Sequence, residues 1–263
     1  MGKFRIGKLK SHLTGYFEDV NTVIETGTFL GESTKVMADH FDKVYTIELD
    51  EKLYKETSDK LKKQGYTNIE FIFGDSGEKI EKLTKEVDQP TVFFLDAHWS
   101  GDDSVQWEKG EWGGYGVNTA HLGESEVPSA EEQVPMDREI RSIVNNFRQK
   151  GVIYIDDLEN FDFWGKGLKN RKFEGEDYSH LDLRAIRNLL GARVVDWINL
   201  ETQLIIKFDK AAENEAESKR QQSRFNSTFK VKLFFRTLKR ILFRVFVRPF
   251  IKLYWKIYHS IKK

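Results

Sequence analysis

The sequence of 263 residues contains no cysteine. Disulfide bonds and thiolate catalysis are therefore excluded, and a reducing, cytoplasmic setting fits this composition. There is no secretory signal peptide and no run of about 18 apolar residues, so we expect no segment of this sequence to span a membrane. The motif G-x-G-x-x-G is also missing, which argues against a dinucleotide-dependent dehydrogenase.

The formal net charge of +0 conceals an uneven distribution of charge. From Ser218 to Lys263 there are 14 Lys and Arg residues and no Asp or Glu. The first 217 residues therefore carry 28 basic against 42 acidic side chains, a net charge of −14. The length allows one α/β domain of about 200 residues with an appendage, and we read the chain as an acidic body followed by a basic tail.

The stretch from Val23 to Ser33 reads VIETGTFLGES, a short apolar strand that runs through a glycine turn into a helix. Gly27 can adopt the positive φ that such a reversal often needs. Gly31 would let the backbone approach a ligand, toward which the amides of the following helix point. A tight strand-to-helix turn without any ligand would explain the same pattern equally well.

Three further predicted strands end in polar residues. The strand Lys43–Glu48 ends in an acid about 20 residues beyond the glycine turn, where a nucleotide-binding βαβ fold places an acid on the ribose hydroxyls. The strand Ile69–Phe73 is followed by Asp75-Ser76, and Val92–Leu95 by Asp96-Ala97-His98. Ligands bind at the carboxyl ends of open parallel sheets, so these residues are expected to share one site. Helices are predicted over Ser33–Phe41 and Glu51–Gln64.

These motifs, Glu25-Thr26-Gly27-Thr28…Gly31, Glu48, Asp75-Ser76 and Leu95-Asp96-Ala97-His98, resemble those of the class I S-adenosylmethionine-dependent methyltransferases over roughly residues 20 to 208. The resemblance implies an α/β, doubly wound, Rossmann-like fold whose seven-stranded, mostly parallel sheet has the order 3-2-1-4-5-7-6. To this the chain adds a C-terminal amphipathic helical tail.

The resemblance also implies where the cofactor lies. The glycine turn would face its methionine part, Glu48 its ribose, and Asp75-Ser76 its adenine. A Gly-x-Gly core is replaced here, which leaves the contacts near Thr26 and Thr28 open. The expected cofactor-binding residues are Glu25, Thr26, Gly27, Thr28, Gly31, Ser33, Glu48, Asp75, Ser76 and Asp96.

A second acidic group follows the fifth predicted strand. The helix Met136–Lys150 leads into the strand Gly151–Ile155, which ends in Asp156-Asp157. Because the fourth and fifth strands are neighbours in this order, Asp96, Asp156 and Asp157 should converge. Three carboxylates suit Mg²⁺, Mn²⁺ or Ca²⁺ rather than Zn²⁺. Helix capping or simple solvation of the two aspartates is the alternative.

This constellation resembles the metal-dependent sugar O-methyltransferases that tailor macrolide and aminocoumarin antibiotics. The resemblance implies that Asp96, Asp156 and Asp157 hold a divalent metal, Mg²⁺ or Mn²⁺, which binds two sugar oxygens. It gives the role of base to His98 beside the catalytic Asp96. A histidine of unperturbed pKa near 6.5 can be a neutral base at pH 7. Alternatively, His98 is a structural residue that bonds the following loop.

The remaining segments are assigned from composition. Residues 1–20, with a short helix near Ser11 to Phe17, are predicted to cap the domain at 21–209. Within that domain, residues 99–132 are predicted to form a lid over the acceptor, and 158–179 the opposite wall. The helix Leu181–Leu190 and an antiparallel pair, Arg193–Ile198 and Gln203–Phe208, complete it. Aromatic and basic side chains that could contact a sugar, or merely pack these loops, are Trp99, Trp107, Trp112, Tyr115, Phe161, Phe163, Trp164 and Arg171.

The tail begins after a polar linker at 210–224. Residues 225–263 have the pattern of two amphipathic helices, kinked at Pro249, with an apolar face opposite an entirely basic one. This pattern is typical of a helix lying on an anionic membrane. Nucleic acid would not require the large apolar face, whereas docking to a partner protein or a second copy of the chain stays open.

From the sequence we therefore expect a cytoplasmic O-methyltransferase, peripheral on the inner face of the membrane, acting on a sugar hydroxyl of a lipid-linked surface glycan. Two alternatives remain. One is metal-independent methylation of a lipid or small molecule. The other is an inactive methyltransferase-fold scaffold that recruits a glycan-assembly complex.

Overall fold

The computed structural model describes residues 4–98, 129–169, 177–200 and 202–210. The chain divides into two units, Met1–Ser218 and Lys219–Lys263, and all described residues belong to the first. The aromatic residues predicted at 99–115, Arg171 and nearly all of the predicted linker and tail lie outside the described residues. Within the described part of the chain, no helix combines the length and the apolar character needed to cross a membrane.

Seven strands form one sheet in the order β3-β2-β1-β4-β5-β7-β6. The first five are parallel, and β7 runs antiparallel to both β5 and β6. This confirms the predicted fold class and strand order. The strands are β1 (Thr22–Thr26), β2 (Lys43–Glu48), β3 (Ile69–Phe73), β4 (Thr91–Leu95), β5 (Gly151–Ile155), β6 (Val194–Asn199) and β7 (Leu204–Phe208).

The α-helices of the described residues are α1 (Ile6–His12), α2 (Glu32–Ala38), α3 (Glu51–Lys63), α4 (Ser76–Glu86), α5 (Ala130–Gln133), α6 (Met136–Asn146) and α7 (Leu183–Leu190). The short helix expected near Ser11 to Phe17 is instead α1 followed by a separate 3₁₀ turn at Gly15–Phe17. Helix α4 is not among the helices predicted above. Helix α6 ends before the predicted Lys150 because Phe147 becomes extended and packs its buried ring against Phe93.

Helices cover both faces of the sheet because its central strands are apolar on both sides. On one face, α4, α6 and α7 pack over alternate residues such as Ile24, Phe93 and Ile153. On the other face, α1, α2 and the chain before β1 pack over the intervening residues. There Phe4 contacts Phe94 and Tyr154, with ring centroids 5.1 and 5.6 Å apart. This layering leaves the carboxyl ends of the parallel strands as the place where polar side chains meet.

Candidate active site

The turn after β1 brings the first and fourth strands into close contact. Gly27 has φ of 85°, and a Cβ atom there would lie 2.8 Å from the carbonyl oxygen of Asp96. The amides of Gly27 and Thr28 donate to the carbonyl of Ile47. Phe29, which is not a glycine, also has positive φ, 49°. The predicted conformation of Gly27 is confirmed, and the turn is held in a strained shape by both neighbouring strands.

Gly31, also expected at the cofactor, lies where α2 packs against α3. A Cβ atom there would lie 2.7 Å from Thr57 Cγ2 and 2.9 Å from Leu61 Cδ1 of α3. Its φ of 77° and this close packing between α2 and α3 both favour glycine at this position, and its expected contact with the cofactor stays a prediction. Ser33, also expected at the cofactor, accepts a hydrogen bond from the amide of Phe4 at 3.3 Å.

Glu25 is fully buried below this turn. Its Oε2 accepts hydrogen bonds from the hydroxyls of Thr34 at 2.5 Å and Thr46 at 2.7 Å, and Thr46 in turn contacts Thr28. Burial raises the pKa of Glu25 to about 8. Its described contacts are thus with threonines that fix the turn from beneath.

Glu48 ends β2 beside this turn. Its two carboxylate oxygens accept hydrogen bonds from the amides of Phe29, at 2.8 Å, and Asp50, at 2.9 Å. Leu49 directly follows β2 and is 66% exposed. Phe73 is the last residue of the neighbouring strand β3 and is 46% exposed. Sequence reasoning missed these two side chains, although an apolar residue next to a strand-terminal acid is a usable signal. Together they offer an apolar surface beside the carboxylate.

Asp75 and Ser76 begin α4 after β3. The carboxylate of Asp75 caps the helix through the amide of Glu78 and also binds both terminal nitrogens of Arg138 on α6, each at 3.0 Å. The hydroxyl of Ser76 lies beside the buried carboxylate of Glu139, whose pKa burial raises to about 7. The expected adenine-side acid is therefore already paired. Arg138 and Glu139 were missed because nothing in a helix-forming pattern marks them as neighbours of β3.

The ends of β4 and β5 bring Asp96, His98 and Asp157 together. One ligand atom of each lies within 4.8 Å of the other two. His98 Nδ1 is 3.8 Å from Asp96 Oδ1 and 3.8 Å from Asp157 Oδ2. Asp96 Oδ1 is buried and has no hydrogen-bond partner in the described residues. Of the two acids predicted to converge with Asp96, Asp157 is in this group, and His98 is its third member.

Asp156, expected as a metal ligand, is not in this group of three. Its backbone continues β5 into the turn, whereas Asp157 takes a left-handed conformation with φ of 56°. Because of this change in backbone conformation, the side chains of Asp156 and Asp157 point in different directions. Asp157 Oδ2 accepts a hydrogen bond of 3.5 Å from the Tyr178 hydroxyl. Asp156 is buried, and its Oδ2 has no described hydrogen-bond partner. Burial and the charge of Asp157 raise its pKa.

Several acidic side chains of this site are buried. Burial, then Asp157, Asp156 and Glu25, raise the pKa of Asp96 well above its ordinary value. Burial also raises the pKa of Glu48. Desolvation and like charges both disfavour ionised carboxylates, so a bound cation would stabilise the ionised form. Such a cluster lowers the stability of the fold by itself, and groups with perturbed pKa values are concentrated at functional sites.

An aromatic pair lies in the segment that follows β5 in the chain. Phe163 and Trp164 meet edge to face with ring centroids 4.9 Å apart, and Trp164 is 55% exposed. Asp162 holds their turn by accepting hydrogen bonds from the amides of Trp164 and Lys166. The exposed indole face is available to a flat apolar surface such as one side of a sugar ring.

No protein-family model matches the chain, and no curated protein matches it in sequence. Similar solved structures include an rRNA methylase from Streptococcus thermophilus, with 17% identity over 80% of this chain and 99% of that chain and a TM-score of 0.40. Another is the O-methyltransferase TomG from Streptomyces achromogenes, involved in tomaymycin synthesis and solved in complex with SAM, with 15% identity over 78% and 79% of the two chains and a TM-score of 0.44.

A third similar structure is precorrin 8w decarboxylase from Methanobacterium thermoautotrophicum, with 13% identity over 79% of this chain and 92% of that chain and a TM-score of 0.41. Likeness at such identities concerns the fold alone, and one fold hosts many activities. The strand order, with β7 reversed next to β5, is that of the class I methyltransferases, and the chain has their fold.

Proposed function

We propose that the protein is an S-adenosylmethionine-dependent O-methyltransferase that uses a divalent metal to methylate a sugar hydroxyl. The observation that carries this proposal is the group Asp96, His98 and Asp157 at the carboxyl edge of the sheet, directly beside the Gly27 turn. A methyl donor bound at the turn and an acceptor bound at the group would be neighbours. Bringing the two reactants together in this way is a main source of rate acceleration.

The cofactor half of the site consists of the ends of β1, β2 and β3. Glu48 would accept hydrogen bonds from the ribose hydroxyls, because each of its oxygens retains a lone pair after bonding one amide. The exposed faces of Leu49 and Phe73 would hold the adenine. The sulfonium and ammonium charges of the cofactor suit the acidic edge.

The metal half consists of Asp96, His98 and Asp157. An unpartnered buried carboxylate oxygen and a nearby imidazole fit a divalent cation, and the mixed nitrogen and oxygen set favours Mn²⁺ over Mg²⁺ or Ca²⁺. A bound metal would polarise the sugar hydroxyl and lower its pKa. The sugar oxygen then bonds to the methyl carbon as the carbon–sulfur bond breaks, which releases S-adenosylhomocysteine and a proton.

His98 has one role in this scheme and another in the metal-independent alternative. A neutral imidazole that ligates a metal through Nδ1 carries its proton on Nε2 and has no lone pair left to accept another. We therefore assign His98 to the metal when one is bound. The predicted role of base belongs to the alternative in which His98 acts alone on a lipid or small-molecule acceptor.

The acceptor and its location are proposed from sequence and site together. The exposed face of Trp164 supports a sugar ring, and the basic amphipathic pattern of 225–263 supports attachment to an anionic membrane on the cytoplasmic side. A lipid-linked surface glycan combines both features. Deleting 225–263 should release the protein from anionic vesicles while methylation of a soluble acceptor persists. Unchanged vesicle binding would contradict the membrane role.

Calorimetric titration of S-adenosylmethionine, followed by methyl-transfer assays on glycan acceptors with Mn²⁺ and with chelator, tests the proposal. We expect cofactor binding and activity that chelation abolishes and Mn²⁺ restores. Activity that survives chelation would favour the metal-independent enzyme, and binding without turnover would favour the scaffold. A protein that does not bind the cofactor would contradict the proposed function altogether.

A further inference from the structure

Two consecutive residues of α6 contact two consecutive residues of the turn after β3. Arg138 binds Asp75 through two hydrogen bonds of 3.0 Å each. Next to it, the carboxylate of Glu139 lies beside the hydroxyls of Ser76 and Thr26, which lower its pKa against the larger effect of burial. The side chains that begin α4 are therefore held by a helix that follows the next strand, β4, in the chain.

The first turn of α4 is shaped to receive the guanidinium group. A Cβ atom at Gly77 would lie 2.8 Å from both Cζ and a terminal nitrogen of Arg138. A cation at a helix N-terminus is disfavoured by the helix dipole, and the paired carboxylate of Asp75 offsets this. A glycine also forms helix less readily than alanine. A glycine in the first turn of α4 and a cation near its N-terminus are each unfavourable for the helix, and both accompany the contact between Arg138 and Asp75.

Glu139 also lowers the stability of the fold. It is 1% exposed on a helix face whose other buried members include Ile140 and Ile143. The two nearby hydroxyls stabilise its charge, but neither forms a hydrogen bond of regular geometry with its oxygens. A buried carboxylate with imperfect partners lowers stability relative to an apolar side chain of similar size. A requirement of the fold alone would favour an apolar residue here.

We propose that Arg138 and Glu139 form a clamp that positions the Asp75–Ser76 turn against the base of the cofactor and so sets its preference for adenine. This inference rests on the proposed function. The turn follows Phe73 after one residue, Gly74, and Phe73 is the register partner of Glu48, the proposed ribose acid. A base held against the exposed ring of Phe73 would therefore present its edge to this turn. The two α6 residues are positioning residues, since they act through the turn.

The test compares binding of S-adenosylhomocysteine with that of S-inosylhomocysteine, in which an oxygen replaces the 6-amino group of the base. We expect the wild type to prefer the adenine compound. Arg138→Gln and Glu139→Gln should each bind it about tenfold more weakly and should lose most of the preference. Mn²⁺ affinity should not change in Arg138→Gln, because the described partner of Arg138 is Asp75 rather than Asp96, His98 or Asp157.

Arg141→Gln is the matched control, since Arg141 makes an exposed ion pair with Asp137 on the same helix. Gly77→Ala is a second variant that removes no charge. It should keep or raise the melting temperature while displacing the guanidinium group and weakening binding. Base preference in Arg138→Gln and Gly77→Ala equal to that of Arg141→Gln would overturn the clamp. Failure of the wild type to bind either nucleoside would overturn the proposed function, and the clamp with it.

Discussion

The carboxylates of Glu48 and Asp75 in the cofactor half are bonded differently from that of Asp96 in the metal half. In the cofactor half, Glu48 and Asp75 are paired with backbone amides or with Arg138. In the metal half, Asp96 Oδ1 is buried without a hydrogen-bond partner in the described residues, and the same holds for Oδ2 of Asp156, which lies next to Asp157 in sequence. Paired acids are already oriented for a neutral group such as a ribose hydroxyl. Unpaired buried acids are poorly stable until a cation arrives.

The largest expected effect removes one acid from the metal half. Asp157→Asn should weaken Mn²⁺ binding by on the order of 100-fold or more, because it replaces an anionic ligand by a neutral one. Cofactor affinity should change little. Calorimetry with Mn²⁺ measures the difference, and Glu159→Gln, an exposed acid two residues away, is the control. Equal Mn²⁺ binding by the two variants would remove the metal half from the proposal.

Much of the fold could be predicted because strands and helices have recognisable patterns of apolar residues in the sequence. Strands β2, β3 and β5 have the predicted bounds, because short runs rich in β-branched and aromatic residues between polar turns are typical of strands. This holds both for β5, which is buried along its whole length, and for the edge strand β3, in which no residue is buried. The meeting of Asp96 with Asp157 followed from strand order alone, whereas the predicted participation of Asp156 is not seen. Helix α6 was predicted too long because periodicity continues through Phe147, and only the ring's packing in the core shows that the helix has ended.

The parts of the site that sequence could not predict depend on side-chain direction. The left-handed backbone of Asp157 separates its side chain from that of Asp156. Aspartate is one of the few residues besides glycine that adopts this conformation, but because both residues are aspartates, the sequence does not show which of them does so. Glu139 reads as an ordinary acid in the first turn of a helix, a favourable place for one. Its burial beside Ser76 depends on how α6 packs against α4.

The pH dependence of metal binding should be the next largest effect. Burial and neighbouring acids raise the pKa of Asp96 well above its ordinary value, so this carboxylate is protonated over a wider range of acidic pH. Since a metal needs the ionised form, Mn²⁺ affinity should rise with pH by up to about tenfold per unit and then level off. Titrations between pH 5 and 8 measure this. A flat profile would mean that Asp96 does not exchange a proton for the metal.

A smaller effect is expected where the two halves touch. Gly27→Ala should destabilise the protein by about 1–3 kcal/mol, because the new methyl group would meet the Asp96 carbonyl at 2.8 Å. Gly65→Ala is the matched control, with φ of 92° but nothing within 4 Å of the added atom. Denaturant unfolding measures the loss of unfolding free energy in both variants, and the difference between the two losses is the contribution of the contact with Asp96 beyond that of the backbone strain. Equal losses would show that the contact between the halves contributes nothing beyond φ.

The smallest effect falls on the paired half. In Glu48→Gln, one side-chain oxygen becomes an NH₂ group that must face the amide of Phe29 or of Asp50, a donor against a donor. The turn should shift slightly, and the weaker acceptor should lower cofactor affinity by about tenfold. Mn²⁺ binding should not change, in contrast to Asp157→Asn.

Glu70→Gln is the control for this substitution, because Glu70 pairs with Lys43 at the surface, well before the end of β3. Calorimetry with S-adenosylmethionine should give wild-type affinity for this control. If Glu48→Gln also keeps wild-type affinity, the paired carboxylate serves only to hold the turn, and the ribose must be bound elsewhere. If it loses Mn²⁺ binding as well, the two halves are one coupled site, and the contrast between paired and unpaired acids does not separate their ligands.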